Sequence, residues 1–174
     1  MIMTVDELKK YIKTNEDDST LEARLQALEL LIRKYTNNKF QQKNIRFVAS
    51  VSDGKLKLST PLLKENDTVE ISQSKYNDGI YTIMSCDAQT CVLSDVLIDE
   101  DEILITKIKY PYDVKMGVVN MLKWELGNRD KVGIQSETIS RHSVTYFNMD
   151  GDNSTIGYPK SLIGFLEPYK KARF

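Results

Sequence analysis

Histidine is nearly missing from this sequence, and the single one, His142, would have to serve any Ser-His-Asp or Cys-His arrangement in the chain. It lies between Arg141 and Ser143 with no nucleophile-elbow pattern anywhere, so catalysis of that type is not expected. Neither a Walker A sequence nor a GxGxxG occurs, which removes the usual phosphate and dinucleotide cradles. The segment NMDGDNS sets Asn148, Asp150 and Asp152 at alternating positions like the start of a calcium loop. Asn153 then stands where that loop needs glycine and Pro159 where it needs a bidentate Glu, so a polar turn is expected. Cysteine is scarce too: Cys86 and Cys91 are too few for a zinc site. They flank a short turn and can face each other across a hairpin, but the expected state is reduced, partly buried thiols. No apolar run is long enough to span a bilayer, and MIMTVDELKK lacks the apolar core and cleavage site of a signal peptide. The chain is therefore expected to be made in the cytoplasm and to have no membrane partner. No enzyme activity, cofactor or metal is expected.

Charge of one sign is also missing. Lys and Arg number 24 against 25 Asp and Glu, a net charge of -1, which excludes a protein that holds nucleic acid by its overall field. What is present is a 174-residue globular composition, 41% hydrophobic and 28% charged, enough for one ordinary core or a core with an inserted module.

The stretch Tyr110 to Arg129 organises the helical part. Pro111 suits a first helical turn and Asp113 favours the positive dipole end. Val114, Val118, Met121, Leu122 and Glu125 recur at helical spacing, and Gly127 and Asn128 end the run. Thr4 with Glu7 has the spacing of a capping box and predicts a short helix to about Lys13. Ser19 with Glu22 repeats that signature before a longer helix from about Thr20 to Thr36, with Leu21, Leu25, Leu28 and Ile32 on one face.

From Ile45 the period changes to short segments rich in β-branched residues, RFVASV, KLKLS, TVEIS, IYTIM, TCVL and EILITKIKY, punctuated by Asp53-Gly54, Pro61 and Asn77-Asp78-Gly79. The expected fold class is α+β: a small α-helical bundle core, residues 1–42 and 111–174, with an inserted antiparallel β module, residues 43–110, as a small sheet or barrel. The acidic stretch Asp95, Asp99, Glu100, Asp101 and Glu102 is expected to be a solvated loop face. Lys39, Lys43, Arg46, Lys55 and Lys57, with Phe40, Phe47 and Tyr76 to stack on bases, allow an alternative function. In it the β module is a small nucleic-acid-binding barrel and the helices are a dimerisation scaffold.

After the central helix, ETISRHSVTYF alternates as one extended strand. Pro159 then opens a short helix with Leu162, Ile163, Leu166 and Tyr169 on one face. Beyond Pro159, Lys160, Lys170, Lys171 and Arg173 meet only Glu167, beside Phe165, Tyr169 and Phe174, the mixture of an interface anchor or of a solvated tail.

The opening TVDELKKYI, then LEARLQALELLIRKY, PYDVKMGVVNMLKWELGNRDK, GIQSETISRHSVTY and GYPKSLIGFLEPYKKARF, in that order, resemble the head-tail connector (adaptor or head-completion) proteins of long-tailed bacteriophages. The resemblance is closest to those of staphylococcal phages. It implies a structural virion protein at the head-tail junction. Such a protein forms a homo-oligomeric ring, typically of twelve copies, below the portal protein, meets a tail-side neck or stopper protein, and extends the channel through which DNA passes. It implies a portal-docking segment with Tyr158, Pro159, Phe165, Tyr169, Lys170, Lys171, Arg173 and Phe174. It also implies an inter-subunit or channel strand with Ser136, Glu137, Ile139, Arg141, His142, Val144 and Tyr146. The β module departs from the resemblance, since many members join these helices by something much shorter.

Overall fold

The short β-branched segments after Lys39 pair into a closed barrel. The computed structural model describes residues 1–58, 60–128, 136–139, 142–145 and 153–172. Six strands form the barrel: β1 (Gln41–Ser52), β2 (Lys55–Lys57), β3 (Thr68–Ser72), β4 (Gly79–Cys86), β5 (Cys91–Leu93) and β6 (Glu100–Ile108). Their order around the wall is β1-β2-β5-β4-β3-β6, and β6 returns to pair with β1, so every neighbour is antiparallel and no edge remains open. The long β1 makes closure possible. Its last residues pair with β2 and its length pairs with β6, with register shifts between Gln41 and Arg46 and between Ala49 and Val51. Such irregularities bend a strand and tighten its twist, which a small barrel requires.

Alternation along the strands fills the interior. Val69 and Ile71 of β3, Ile83 of β4 and Ile103 and Ile105 of β6 meet Ala49, Val51 and Leu56, while Leu63 and Leu97 contribute from connecting segments. Phe40, just before β1, packs on Tyr110, just after β6, with ring centroids 4.8 Å apart. Glu70 points outward from β3 yet is buried; Lys39 pairs with it, and Gln41 Nε2 donates to it at 2.7 Å.

The chain divides into two compact units: Met1–Thr4 with Lys39–Tyr110, and Val5–Asn38 with Pro111–Phe174. The expectation of a helical-bundle core carrying a small β module is thereby corrected, because the closed six-stranded barrel is the dominant element. The physical reason is closure: a barrel without edges encloses its own core and does not need a helical face to cover it.

In the second unit, α1 (Val5–Lys9) is shorter than expected, and α2 (Asp18–Thr36) and α3 (Tyr112–Asn128) are the long helices. The α2 cap is Asp17, not Ser19; its carboxylate accepts from Thr20 N at 2.9 Å, and Thr20 and Ser19 hydroxyls also donate to it. These bonds hold the Asp17 carboxyl well below its usual range. Asn37 ends α2 in the left-handed conformation, with φ 49°. Leu21, Leu25, Leu28 and Ile32 of α2 and Val114, Val118, Met121 and Leu122 of α3 are buried. The remaining elements are β7 (Ser136–Ile139), β8 (His142–Thr145), β9 (Ser154–Thr155), β10 (Tyr158–Pro159) and α4 (Lys160–Ile163), which continues as a 3-10 helix over Gly164–Tyr169.

Candidate functional site

Two surfaces have the residue chemistry to recognise something. The first is the segment after Ser154, where the β9–β10 pair delivers the chain to α4. Tyr158 is 2% exposed, donates its hydroxyl to Glu125 and lies 5.5 Å from the Trp124 ring. Pro159 is buried. Phe165 sits over Gly117, where a Cβ would come within 2.2 Å of its ring, so the mid-helix glycine exists to seat this phenyl group. Tyr169 donates to both Asp113 oxygens, at 2.8 and 2.7 Å, and the bond to that carboxylate raises the phenol's pKa.

The tail continues along the end of α2. Lys170 Nζ lies 4.2 Å from the Tyr35 ring centroid and 2.8 Å from Glu167, and Tyr35 donates to Glu167 at 2.9 Å. Lys170, then the Tyr35 hydroxyl, hold the Glu167 carboxyl below its usual range. Lys171 N donates to Thr36 O at 2.8 Å, and Asn37 Nδ2 to Ala172 O at 2.8 Å. Tyr158, Pro159, Phe165, Tyr169 and Lys170 are thus first of all structural within their own unit, a role sequence reasoning missed although Gly117 signalled it. Exposed Lys160 and Lys171 remain outward, while Arg173 and Phe174 lie outside the described residues.

The expected single strand is corrected to a hairpin. β7 and β8 pair antiparallel, Ser136 with Thr145, Glu137 with Val144 and Ile139 with His142. Arg141 and Tyr146 lie outside the described residues.

The second surface is one end of the barrel, where the Asp53-Gly54 turn, the segment from Gln73 to Asp78 and the segment from Ser94 to Asp99 come together. Asn77, 2% exposed, ties two of them. Its Nδ2 donates to Ile98 O and its Oδ1 accepts from Ile98 N, both at 2.8 Å, as a strand partner would. Glu100 accepts from Ser74 Oγ at 2.5 Å and Lys75 N at 2.9 Å, and Gly54 N donates to Asp99 at 3.2 Å. These fixed loops leave Tyr76, Val96 and Ile98 exposed at 66%, 89% and 56%. Asp53, Asp78, Asp95, Asp99, Asp101 and Glu102 are exposed around them, with Lys55 and Lys75 as the nearby cations. Burial first, and then the field of Asp95 and Asp78, raises the Tyr81 phenol's pKa. Beside these loops an open depression on the outer wall is lined by Val48, Gln73, Glu102, Ile103 and Leu104.

The Ser74 hydroxyl and Lys75 amide depress the Glu100 pKa. A depressed carboxyl adds stability above its unfolded pKa, and that stability is lost as pH falls through the folded value. Acidification below the ordinary carboxylate range should therefore loosen this loop first. Faster amide exchange at Lys75, before the barrel strands exchange, is the expected observation.

The basic stripe of the nucleic-acid alternative loses its stacking rings. Phe40 is 6% exposed, Phe47 packs against the barrel core, and exposed Tyr76 stands among carboxylates. Lys39 is paired with Glu70, and Arg46 donates to Thr106. The thiol expectation is corrected as well: Cys86 and Cys91 are direct cross-strand partners with Cα atoms 4.1 Å apart and form a disulfide. Among the described residues no group of three His, Cys, Asp or Glu is placed to hold a metal. No family model matches the chain, and no curated protein matches it either.

Proposed function

We propose that this chain is a structural virion protein, a head-tail connector that forms a ring below the portal of a long-tailed bacteriophage and extends its DNA channel. The observation that carries the reading is the set of five connector-like segments. From Val5 onward they fall in one unit, Val5–Asn38 with Pro111–Phe174, although residues 39–110 interrupt them in sequence. Two further features support it. Among the described residues β7 and β8 pair with each other in a two-stranded sheet, an arrangement marginal in water by itself, which suits an arm completed by a neighbouring copy. A near-zero net charge suits a wall past which DNA must slide, because each neutralised phosphate adds binding free energy.

In this reading the segment after Tyr158 both closes the helical unit and presents its outward cations to the portal. Deleting Lys170 to Phe174 removes the two backbone-involving bonds at the end of α2, each worth about 0.5–1.5 kcal/mol. The truncated protein should keep its circular dichroism spectrum, melt a few degrees lower, and no longer co-sediment with portal rings. Undiminished co-sedimentation would remove the docking assignment.

A further inference from the structure

We propose that the loop end of the barrel is a docking surface for a cationic segment of a second protein, one in which Lys or Arg side chains flank apolar ones. The inference lies wholly within the barrel unit and does not depend on the ring reading. Three loops build the surface. Gly54 N donates to Asp99, Asn77 pairs with the Ile98 backbone in both directions, and Glu100 accepts from Ser74 and Lys75. Val96 rests against Gly54, where a Cβ would lie 3.0 Å from its methyl carbon. These ties hold Tyr76, Val96 and Ile98 at one end of the barrel and leave them 66%, 89% and 56% exposed. Apolar groups presented by preformed loops cost little to order on binding, and covering them is favourable.

Charge selects the occupant. Asp53, Asp78, Asp95, Asp99, Asp101 and Glu102 are exposed around the apolar groups and outnumber Lys55 and Lys75. Asp78 and Asp95 come from different loops, yet both act on the same Tyr81 phenol, so the carboxylates share one field. An acidic rim repels phosphate backbones, anionic membrane surfaces and a second copy of itself, and it attracts Lys and Arg. An apolar centre inside a polar rim is also the anatomy of a protein interface. The depression beside the loops fits the same partner. Val48 and Leu104, direct partners across β1 and β6, line it together with Glu102. A Lys or Arg side chain joins an aliphatic stem to a charged head, which suits two apolar groups and a carboxylate in one depression.

The test selects random short peptides, displayed on yeast, against the intact chain and measures the enriched ones by fluorescence anisotropy. They should carry Lys or Arg beside aliphatic or aromatic residues. Asp95 and Asp101 are exposed, so Asp95→Lys with Asp101→Lys changes charge without breaking the Asn77 or Glu100 ties. This variant should weaken binding roughly tenfold or more, and high salt should weaken binding to the wild type. Tyr76→Ser with Val96→Ser should weaken binding roughly tenfold even at high salt, because it removes the apolar centre. Asp6→Lys with Glu65→Lys makes the same change in net charge at exposed positions outside these loops, and should leave affinity within about twofold. All three variants should keep the wild-type circular dichroism spectrum. Failure to enrich any peptide, enriched peptides without cations, binding that survives either loop variant, or an equal loss in the outside pair overturns the proposal. So does a fall in the native mass of the peptide-free chain on Asp95→Lys with Asp101→Lys, which would give this surface to a second copy instead.

Discussion

Val118→Asp should unfold the helical unit. Val118 is fully buried on α3, as are Val114, Met121 and Leu122. An unpaired charge in such a place costs several kcal/mol, comparable with the whole 5–15 kcal/mol that holds a typical domain together, so the substitution exhausts the margin. The barrel has its own core, from Ala49 to Ile105, and should survive. Circular dichroism should lose most helical signal, and amide exchange should show fast helices beside slow barrel strands. Protection retained in α2 and α3 would mean that this face is not the core of the unit.

The Gly117–Phe165 pair should produce a change of sign. In an ordinary helix interior Gly→Ala stabilises by roughly 1 kcal/mol. Here the added methyl would meet three Phe165 ring atoms at 2.2 to 2.4 Å, and overpacking of that kind costs about 1–3 kcal/mol. Gly117→Ala should therefore destabilise the native protein. In a Phe165→Ala background, itself destabilising, the same substitution should stabilise, because the space is open and only the helix preference remains. Denaturant titrations of the four proteins measure the coupling directly. Equal effects in both backgrounds would show that Phe165 does not occupy Gly117.

Much of the local structure was legible because periodicity reports it. The strands grow from the runs read as TVEIS, IYTIM and EILITKIKY, and α3 runs close to its expected limits. Closure was not legible, because β1 must pair with β6 across about sixty residues and nothing in either segment names its distant partner. Cap choice failed for a simpler reason. Asp17, Asp18 and Ser19 are all competent caps, and Asp17 prevails by collecting three donors. The Cys86–Cys91 bridge depended on register, which sequence separation alone does not fix.

The candidate surfaces were legible in composition and not in placement. The cations and aromatics after Pro159 were visible, but Tyr158, Phe165 and Tyr169 turn inward to Glu125, Gly117 and Asp113, so the exposed chemistry is mostly charge. The acidic stretch near Glu100 has the composition of a solvated face. Its significance comes from Val96, Ile98 and Tyr76, which the folded loops keep in water although their chemistry favours burial.

The proposed function has identical copies of this chain closing into a ring on a portal. The native mass of the intact protein, alone and after mixing with portal protein, tests it most directly. A ring-forming connector should give one discrete assembly containing a fixed whole number of copies, formed or stabilised on the portal. A monomer at every concentration, unchanged by the portal, would contradict it.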